Sequence, residues 1–374
     1  VQALNTGYSP RHAAPDWPGR HAARPAVVVV LAAVLAGGAA TALWLARHPV
    51  PRCHGCAGPA VPVVSVTGLA GPAALAVIRG QAWVANSVGD SVTRLSWPPV
   101  TWRRRALSDP AAITAGHGRL WVANMLSGTV AELSAADGRV IRTLSGRPLA
   151  SPRALALYGG RLWVANAAGG SVAAFDARTG ALLRVIRGFA TPTAVVVSHG
   201  RLWVAASGGD TVTELDARTG AQIATLRGRA FGLAGPVSEA AGRTTLWVGN
   251  EATGSVSEIS TVTGRLLRVL SGYHLANPAA MTVAGGDLWV TSALGDAVAQ
   301  IAPSGRLVRY LAGPRYRFAD PVAIAATAGR IWVANLAGNS VTELLVPARP
   351  AVRAGRGAAG SASPATRLEP AART

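Results

Sequence analysis

The chain contains no lysine: its 36 lysine-plus-arginine positions are all arginines. That fits the codon usage of a GC-rich genome and excludes nothing about the fold. Cysteine is scarce too. Only Cys53 and Cys56 are present, too few for a four-ligand zinc site without other partners. Cys53-His54-Gly55-Cys56 also fails as a c-type haem attachment, which needs histidine directly after the second cysteine, where Ala57 stands. In an oxidising compartment the pair is expected as a disulfide, within the chain or between two chains. Carboxylates are few, 17 against 36 basic residues, which leaves a formal net charge of +19. No Walker, Rossmann or Ser-His-Asp pattern occurs.

Aromatics make up 5% of the chain, but tryptophan is over-used within them. Seven of the tryptophans, Trp83, Trp121, Trp163, Trp203, Trp247, Trp289 and Trp332, recur at spacings of 38 to 44 residues. Each sits in a copy of Gly160-Arg161-Leu162-Trp163-Val164-Ala165-Asn166. A period near 40 is the mark of a repeat architecture.

Each repeat reads as four short strands. In Thr191 to Arg227 these are Pro192 to Val197, Leu202 to Ala205, Thr211 to Asp216 and Gln222 to Leu226. Gly, Asn and Asp fill the intervening turns, where positive φ is needed. Strand two is apolar on both faces, as expected between two covering sheets. Seven such units predict an all-β, seven-bladed β-propeller over residues 61–346. The seventh repeat, from Asp320 to Leu345, lacks a fourth strand. Val61 to Gly68 aligns with the fourth strand Arg139 to Gly146 and is expected to complete that blade, removing an open edge. The tryptophans are expected as inter-blade core.

Outside the repeats, residues 1–25 are polar and expected to be disordered. Ala26 to Ala46 carries no charge and is long enough to span a bilayer as a single N-terminal transmembrane helix. A cleaved signal peptide with an Ala40-Thr41-Ala42 site is the rival reading. Arg11, Arg20 and Arg24 precede the segment, whereas Arg47 and Arg52 follow it, which favours a cytoplasmic N-terminus. Either reading places the propeller on the extracytoplasmic side. Residues 47–60 form a stalk holding the two cysteines, and 347–374 a disordered tail.

Leu162-Trp163-Val164-Ala165-Asn166, followed by Gly170-Ser171-Val172, Phe175-Asp176 and Thr179-Gly180, resembles the YVTN-type (NHL/YVTN-like) β-propeller repeat. The resemblance implies a seven-bladed scaffold for binding, sensing or occasional catalysis, and says little about which. The layout of anchor and propeller is also similar to that of some bacterial Ser/Thr kinases; residues 1–25 hold no kinase domain, so that comparison holds only if Val1 is not the true start.

Two surfaces are candidates. The upper face carries the loops between strands two and three and between blades. Asn86, Asn124, Asn166, Asn250 and Asn335 end strand two there, and Asp90, Asp210 and Asp296 follow nearby. Asp109 and Asp320 precede the proline of strand one, where other blades have Gly71, Ser151, Thr191, Gly235 and Asn277. These positions read either as turn chemistry or as a polar ring able to bind a small polar ligand, sugar or peptide. The lower face is expected to look toward the bilayer. It carries Arg79, Arg119, Arg161, Arg201, Arg243 and Arg330, together with Arg139, Arg178, Arg218, Arg265 and Arg306, opposed by Asp137, Asp176, Asp216 and Asp287. That excess fits an anionic lipid or cell-wall polymer; nucleic acid is not the expected partner.

No catalytic residue, metal or cofactor is expected. Of the repeat-region histidines, His117 and His199 fall in turns between strands one and two, and neither they nor His274 is well placed at the channel mouth. That position is what a virginiamycin-lyase-like propeller would need. A regucalcin-type lactonase would need carboxylates converging on a divalent ion, and blade one separates Asp109 from Asp320. The sequence therefore reads as a membrane-anchored binding or scaffold module, with a lactonase-like or lyase-like enzyme as the alternative.

Overall fold

The computed structural model describes residues 63–327 and 329–346. Residues 26–46, expected as an anchor, residues 47–60, expected as a stalk with Cys53 and Cys56, and the two terminal segments lie outside the described residues. Among the described residues no helix is long and apolar enough to cross a membrane.

Seven four-stranded antiparallel sheets follow one another along the chain. Blades one to six span Pro72–Arg103, Pro110–Leu144, Pro152–Arg187, Pro192–Arg227, Pro236–Leu270 and Met281–Ala312. Blade seven takes three strands from Pro321–Leu345 and its fourth from Val63–Thr67. Val63 pairs with Leu344 and Thr67 with Ser340, so the two ends of the ring share one sheet, as expected. The chain thus enters the ring at the end carrying the turns between strands one and two and between strands three and four. The opposite end carries the loops between strands two and three and between blades.

Strand two is the core of each blade because the adjacent blades cover both of its faces. Trp83, Trp121, Trp163, Trp203, Trp289 and Trp332 are buried; Trp247 is half-buried. Trp163 packs with blade-four side chains such as Leu202 and Leu215, and its Nε1 donates to the Ala217 carbonyl of that blade at 3.2 Å. The innermost strand is shaped by proline. Six of the seven first strands open on proline and then bulge by one residue, as between Pro152 and Ala154. A residue without an N–H fits an edge strand that has no further partner.

Two outcomes are expected in thermal melts of the chain. Deleting Val63 to Thr67 exposes the Ser340–Leu345 edge and should lower the melting temperature by about 10 °C or more. Trp163→Ala should cost about 3–5 kcal/mol. An unchanged melt for the deletion would mean that another segment closes blade seven.

Candidate functional site at the channel mouth

The five asparagines that end strand two do not face the mouth. Their side chains are buried and committed inside the blade. The Asn124 side-chain oxygen accepts the Ser108 N–H, while its Nδ2 donates to the Ala106 carbonyl and the Thr129 hydroxyl. Asn250 repeats the pattern with the Ala234 N–H, Ser255 and Ser257. Asn86 and Asn335 donate to Ser and Thr hydroxyls of strand three, and Asn166 to the Val164 carbonyl. In blade six Ser292 does the same work, accepting from the Ala276 N–H. None of the five has a left-handed backbone. Asn124 and Asn250 pin the loop that leads into their blades, whereas the buried side-chain oxygens of Asn86, Asn166 and Asn335 have no hydrogen-bond partner. Left-handed turn geometry does not explain the five.

The aspartates after them do adopt left-handed backbones. Asp90, Asp210, Asp296 and the corresponding Asn339 have φ between 45° and 47°. Each turns its side chain onto the next blade. Asp90 accepts the Asp109 N–H at 2.7 Å, Asp210 that of Gly235 at 2.6 Å, Asp296 that of Asp320 at 2.8 Å and Asn339 that of Gly71 at 2.9 Å. The other three junctions have glycine at this place. A Cβ on Gly254 would lie 2.2 Å from the Leu275 carbonyl oxygen, and one on Gly170 2.9 Å from that of Phe189. So each junction is closed either by a side-chain latch or by close backbone approach.

The residues that receive these latches form the mouth. Gly71, Asp109, Ser151, Thr191, Gly235, Asn277 and Asp320 all have φ between 51° and 67°. In each, the carbonyl accepts an N–H just past strand two of the same blade, from Ser87, Met125, Ala167, Ser207, Glu251, Ala293 and Leu336 respectively. Five of the seven are not glycine, and each such residue costs roughly 1–2 kcal/mol of backbone strain. Thr191 is exposed, and Asp109, Ser151, Asn277 and Asp320 are half-buried; Gly71 is buried against Val88. Asp109 and Asp320 flank blade one, separated by Gly71. Burial, and then the Asp90 charge, raises the Asp109 acid above its ordinary value; burial, and then Asp296, does the same for Asp320. Among the described residues no group of three or more His, Cys, Asp or Glu side chains could hold a metal ion. His274, also left-handed, lies in the upper-face loop between blades five and six, three residues before Asn277. It is nearer the mouth than His117 and His199, which occupy lower turns.

On the lower face the arginines are less free than a count of turn residues implies. Arg119 pairs with Glu132, Arg201 with Glu214 at 3.5 Å, and Arg330 with Glu343 at 2.9 Å. Glu132 also takes Arg142 at 2.5 Å. These glutamates lie on strand three opposite the tryptophans, 13 residues from their arginines. Arg79, Arg161 and Arg243 form no ion pair among the described residues. Asp176 and Asp216 are occupied in their own turns, accepting from the following Arg and Thr backbone and from the Thr hydroxyl.

One titratable group escapes the repeat pattern. Glu239, on the first strand of blade five, stands where the other blades have Leu75, Ile113, Leu155, Val195, Met281 and Ile324. Its stem is partly exposed, but both carboxyl oxygens are buried without a hydrogen-bond partner. Burial pushes its acid well above the glutamate range, and the Ala205 backbone only partly offsets this. A raised acid is neutral in the fold while its unfolded counterpart is ionised, so the fold loses stability as pH rises from the ordinary value of 4.5 toward the folded one. Glu239→Leu should therefore stabilise the ring by about 1–3 kcal/mol at neutral pH. The gain should shrink below the ordinary glutamate value, in melts followed across pH, leaving only the cost of the buried neutral carboxyl. A gain that did not change with pH would show that ionisation is not its source.

No family model matches the chain, and no curated protein matches it. Solved structures share its fold. Virginiamycin B lyase from Staphylococcus aureus superposes with a TM-score of 0.67 at 15% identity, covering 77% of this chain and 100% of that one. A streptogramin B lyase structure gives 0.65 at 14%, covering 76% and 97%. BamB from Moraxella catarrhalis gives 0.53 at 16%, covering 73% and 85%. At these identities the likeness is one of fold: the chain is an all-β seven-bladed propeller with lyase and BamB propellers among its structural neighbours.

Proposed function

We propose that the propeller is a non-catalytic binding or scaffold module that takes a small polar ligand, sugar or peptide at the mouth. One observation carries this reading. Seven equivalent positions share one strained backbone and one carbonyl hydrogen bond, yet carry Gly, Asp, Ser, Thr, Gly, Asn and Asp. A position held this uniformly, with side chains this varied and mostly reaching solvent, is built to present chemistry and not to pack. Asp320 and Asp109 make one sector acidic, which favours a cationic group there; Ser151, Thr191 and Asn277 supply neutral donors and acceptors around the rest.

The same proposal keeps the module on the extracytoplasmic side of a membrane, anchored by Ala26 to Ala46, with an anionic lipid or cell-wall polymer as the partner of its lower face. Of the candidate arginines beside the turns between strands one and two, Arg79, Arg161 and Arg243 form no ion pair among the described residues. A lyase-like or lactonase-like activity is the second reading. It is favoured by the raised acids of Asp109 and Asp320 and by His274 in an upper-face loop. The lyase among the structural neighbours was solved with quinupristin as a catalytically inactive histidine-to-alanine variant.

A thermal-shift screen of polar metabolites, sugars and short basic peptides against the full chain tests the mouth. A hit should lose about tenfold or more in affinity in the double variant Asp109→Asn, Asp320→Asn. Asparagine keeps the left-handed backbone, as Asn277 does, so the melt without ligand should stay within a few degrees. Hits indifferent to this pair and to Thr191→Gly would rule the mouth out as the site. Turnover of a hit, lost in His274→Ala, would favour the enzyme reading.

A further inference from the structure

Blade one breaks the polar pattern of the other blades at one place on the lower face. Opposite the strand-two tryptophan, strand three carries Glu132, Glu214, Glu258 and Glu343 in blades two, four, five and seven, and Gln300 in blade six. Blade one has Arg94. Next to this position, strand four carries Arg142 in blade two, Arg268 in blade five and Arg309 in blade six; blade one has Val100. Where Arg119, Arg201 and Arg330 start strand two, blade one has Gln81. A further change brings Trp102 to the place of Leu144, Ile186, Leu226, Leu270 and Leu311. The carboxylate is gone, a cation stands in its place, and an indole has been added beside it.

These changes meet at one recess of about 290 Å³ between blades one and two, lined by Ile78, Arg79, Gln81, Trp83, Arg94 and the adjoining edge of blade two. Trp102 stacks on Trp83 with ring centres 5.2 Å apart and an interplanar angle of 21°. The Arg94 guanidinium lies 5.5 Å from the Trp102 ring centre and 5.9 Å from that of Trp83. It gives one long hydrogen bond, 3.4 Å, to the Ala136 carbonyl, and its Nε is buried with no partner. Arg79 approaches from a left-handed turn. Neither arginine has an ion pair among the described residues. The nearest turn carboxylate, Asp137, accepts the Arg139 N–H and faces the Arg139 side chain.

We propose that this recess is a binding site for a phosphate monoester. Two guanidinium groups without carboxylates supply a charge of about +2, which matches the −1.5 to −2 of a phosphomonoester near neutral pH. The Arg94 guanidinium, which lines the recess and makes only the long bond to the Ala136 carbonyl, has donor capacity left for the charge-assisted hydrogen bonds of an oxyanion. The Trp83 and Ile78 walls receive the organic part of the ester. The same phosphate chemistry is offered by a free metabolite or by a lipid headgroup such as that of phosphatidic acid. This site is separate from the mouth on the opposite face, and it needs a shaped recess where diffuse attraction by the lower face does not.

The test uses the full chain in neutral detergent. Calorimetry with glycerol 3-phosphate and inorganic phosphate reads the free source. Flotation with phosphatidylcholine vesicles, with and without phosphatidic acid, reads the lipid source. At least one probe should bind, and Arg94→Gln should weaken it by about tenfold or more. The melt should hold, because Gln300 occupies this place in blade six. Arg79→Asn, which keeps the left-handed turn, is the second variant and should act in the same direction. Arg187→Gln with Arg227→Gln, exposed at the ends of the outer strands of blades three and four and away from both the recess and the lower face, should leave the affinity within about twofold. Binding of the soluble ester alone assigns a metabolite, and of the vesicles alone a lipid. Absence of binding by every probe overturns the proposal. So does binding that survives Arg94→Gln, or that falls equally with the Arg187 and Arg227 pair. The mouth reading is untouched by either result.

Discussion

Each strand two is covered only because a blade stands on either side of it. Trp163 reaches into blade four to donate to Ala217, and Leu202 of blade four packs back against it. A single blade would leave such a face in water, and no blade has a private core. The hydrophobic term therefore acts between blades, and the ring has to close for the first and last of them to be covered. Residues Val63–Thr67 meet that demand with hydrogen bonds, in register with Ser340–Leu344. The placing of the mouth and of the blade-one recess depends on this closed packing, since each lies where neighbouring blades meet.

Polar groups serve the same junctions. On the upper face, Asn124 and Asn250 hold the incoming loop, and aspartate latches or close glycine contacts join one blade to the next. On the lower face, Glu132 holds two arginines, and Glu214 and Glu343 hold one each from the turn below. Charge that looks available in the sequence is thus partly spent within the ring. What remains unpaired among the described residues includes the mouth side chains above, Arg79, Arg161, Arg243, Arg265 and Arg306 among the candidates below, and Arg94 of blade one. Blade one is the exception that makes the rule visible, because Arg94 occupies a place where the other blades carry glutamate, glutamine or, in blade three, Ala174.

The fold was legible because the tryptophan spacing, the four-strand pattern and the missing fourth strand are all local facts of order along the chain. The strands of blade four match the expected ones to within a residue at each end. The sites were harder to read. The strand-two asparagines look like turn residues, and only tertiary structure shows their amides buried inside the blade, with Asn124 and Asn250 turned to the loop before it. The arginine–glutamate pairs were missed because the partners sit 13 residues apart on adjacent strands. Glu239 was in plain view as one acid in a column of aliphatic residues, but that column appears only once each first strand is put in register. Asp109 and Asp320 were identified from their place before proline; their shared backbone with five other residues was not.

Blade seven imposes an order of assembly. The Gly71 N–H and the Asn339 side chain that meet at the ring seam are 268 residues apart in the chain. When the polypeptide is made or exported from its N-terminus, blades one to six can stack while Val63–Thr67 has no partner. The slowest contact is then the last one, made when the end of the chain arrives. Until that moment a short strand rich in valine waits beside an incomplete ring, open to pairing with another molecule. The shortness of that strand limits the exposed edge during this interval.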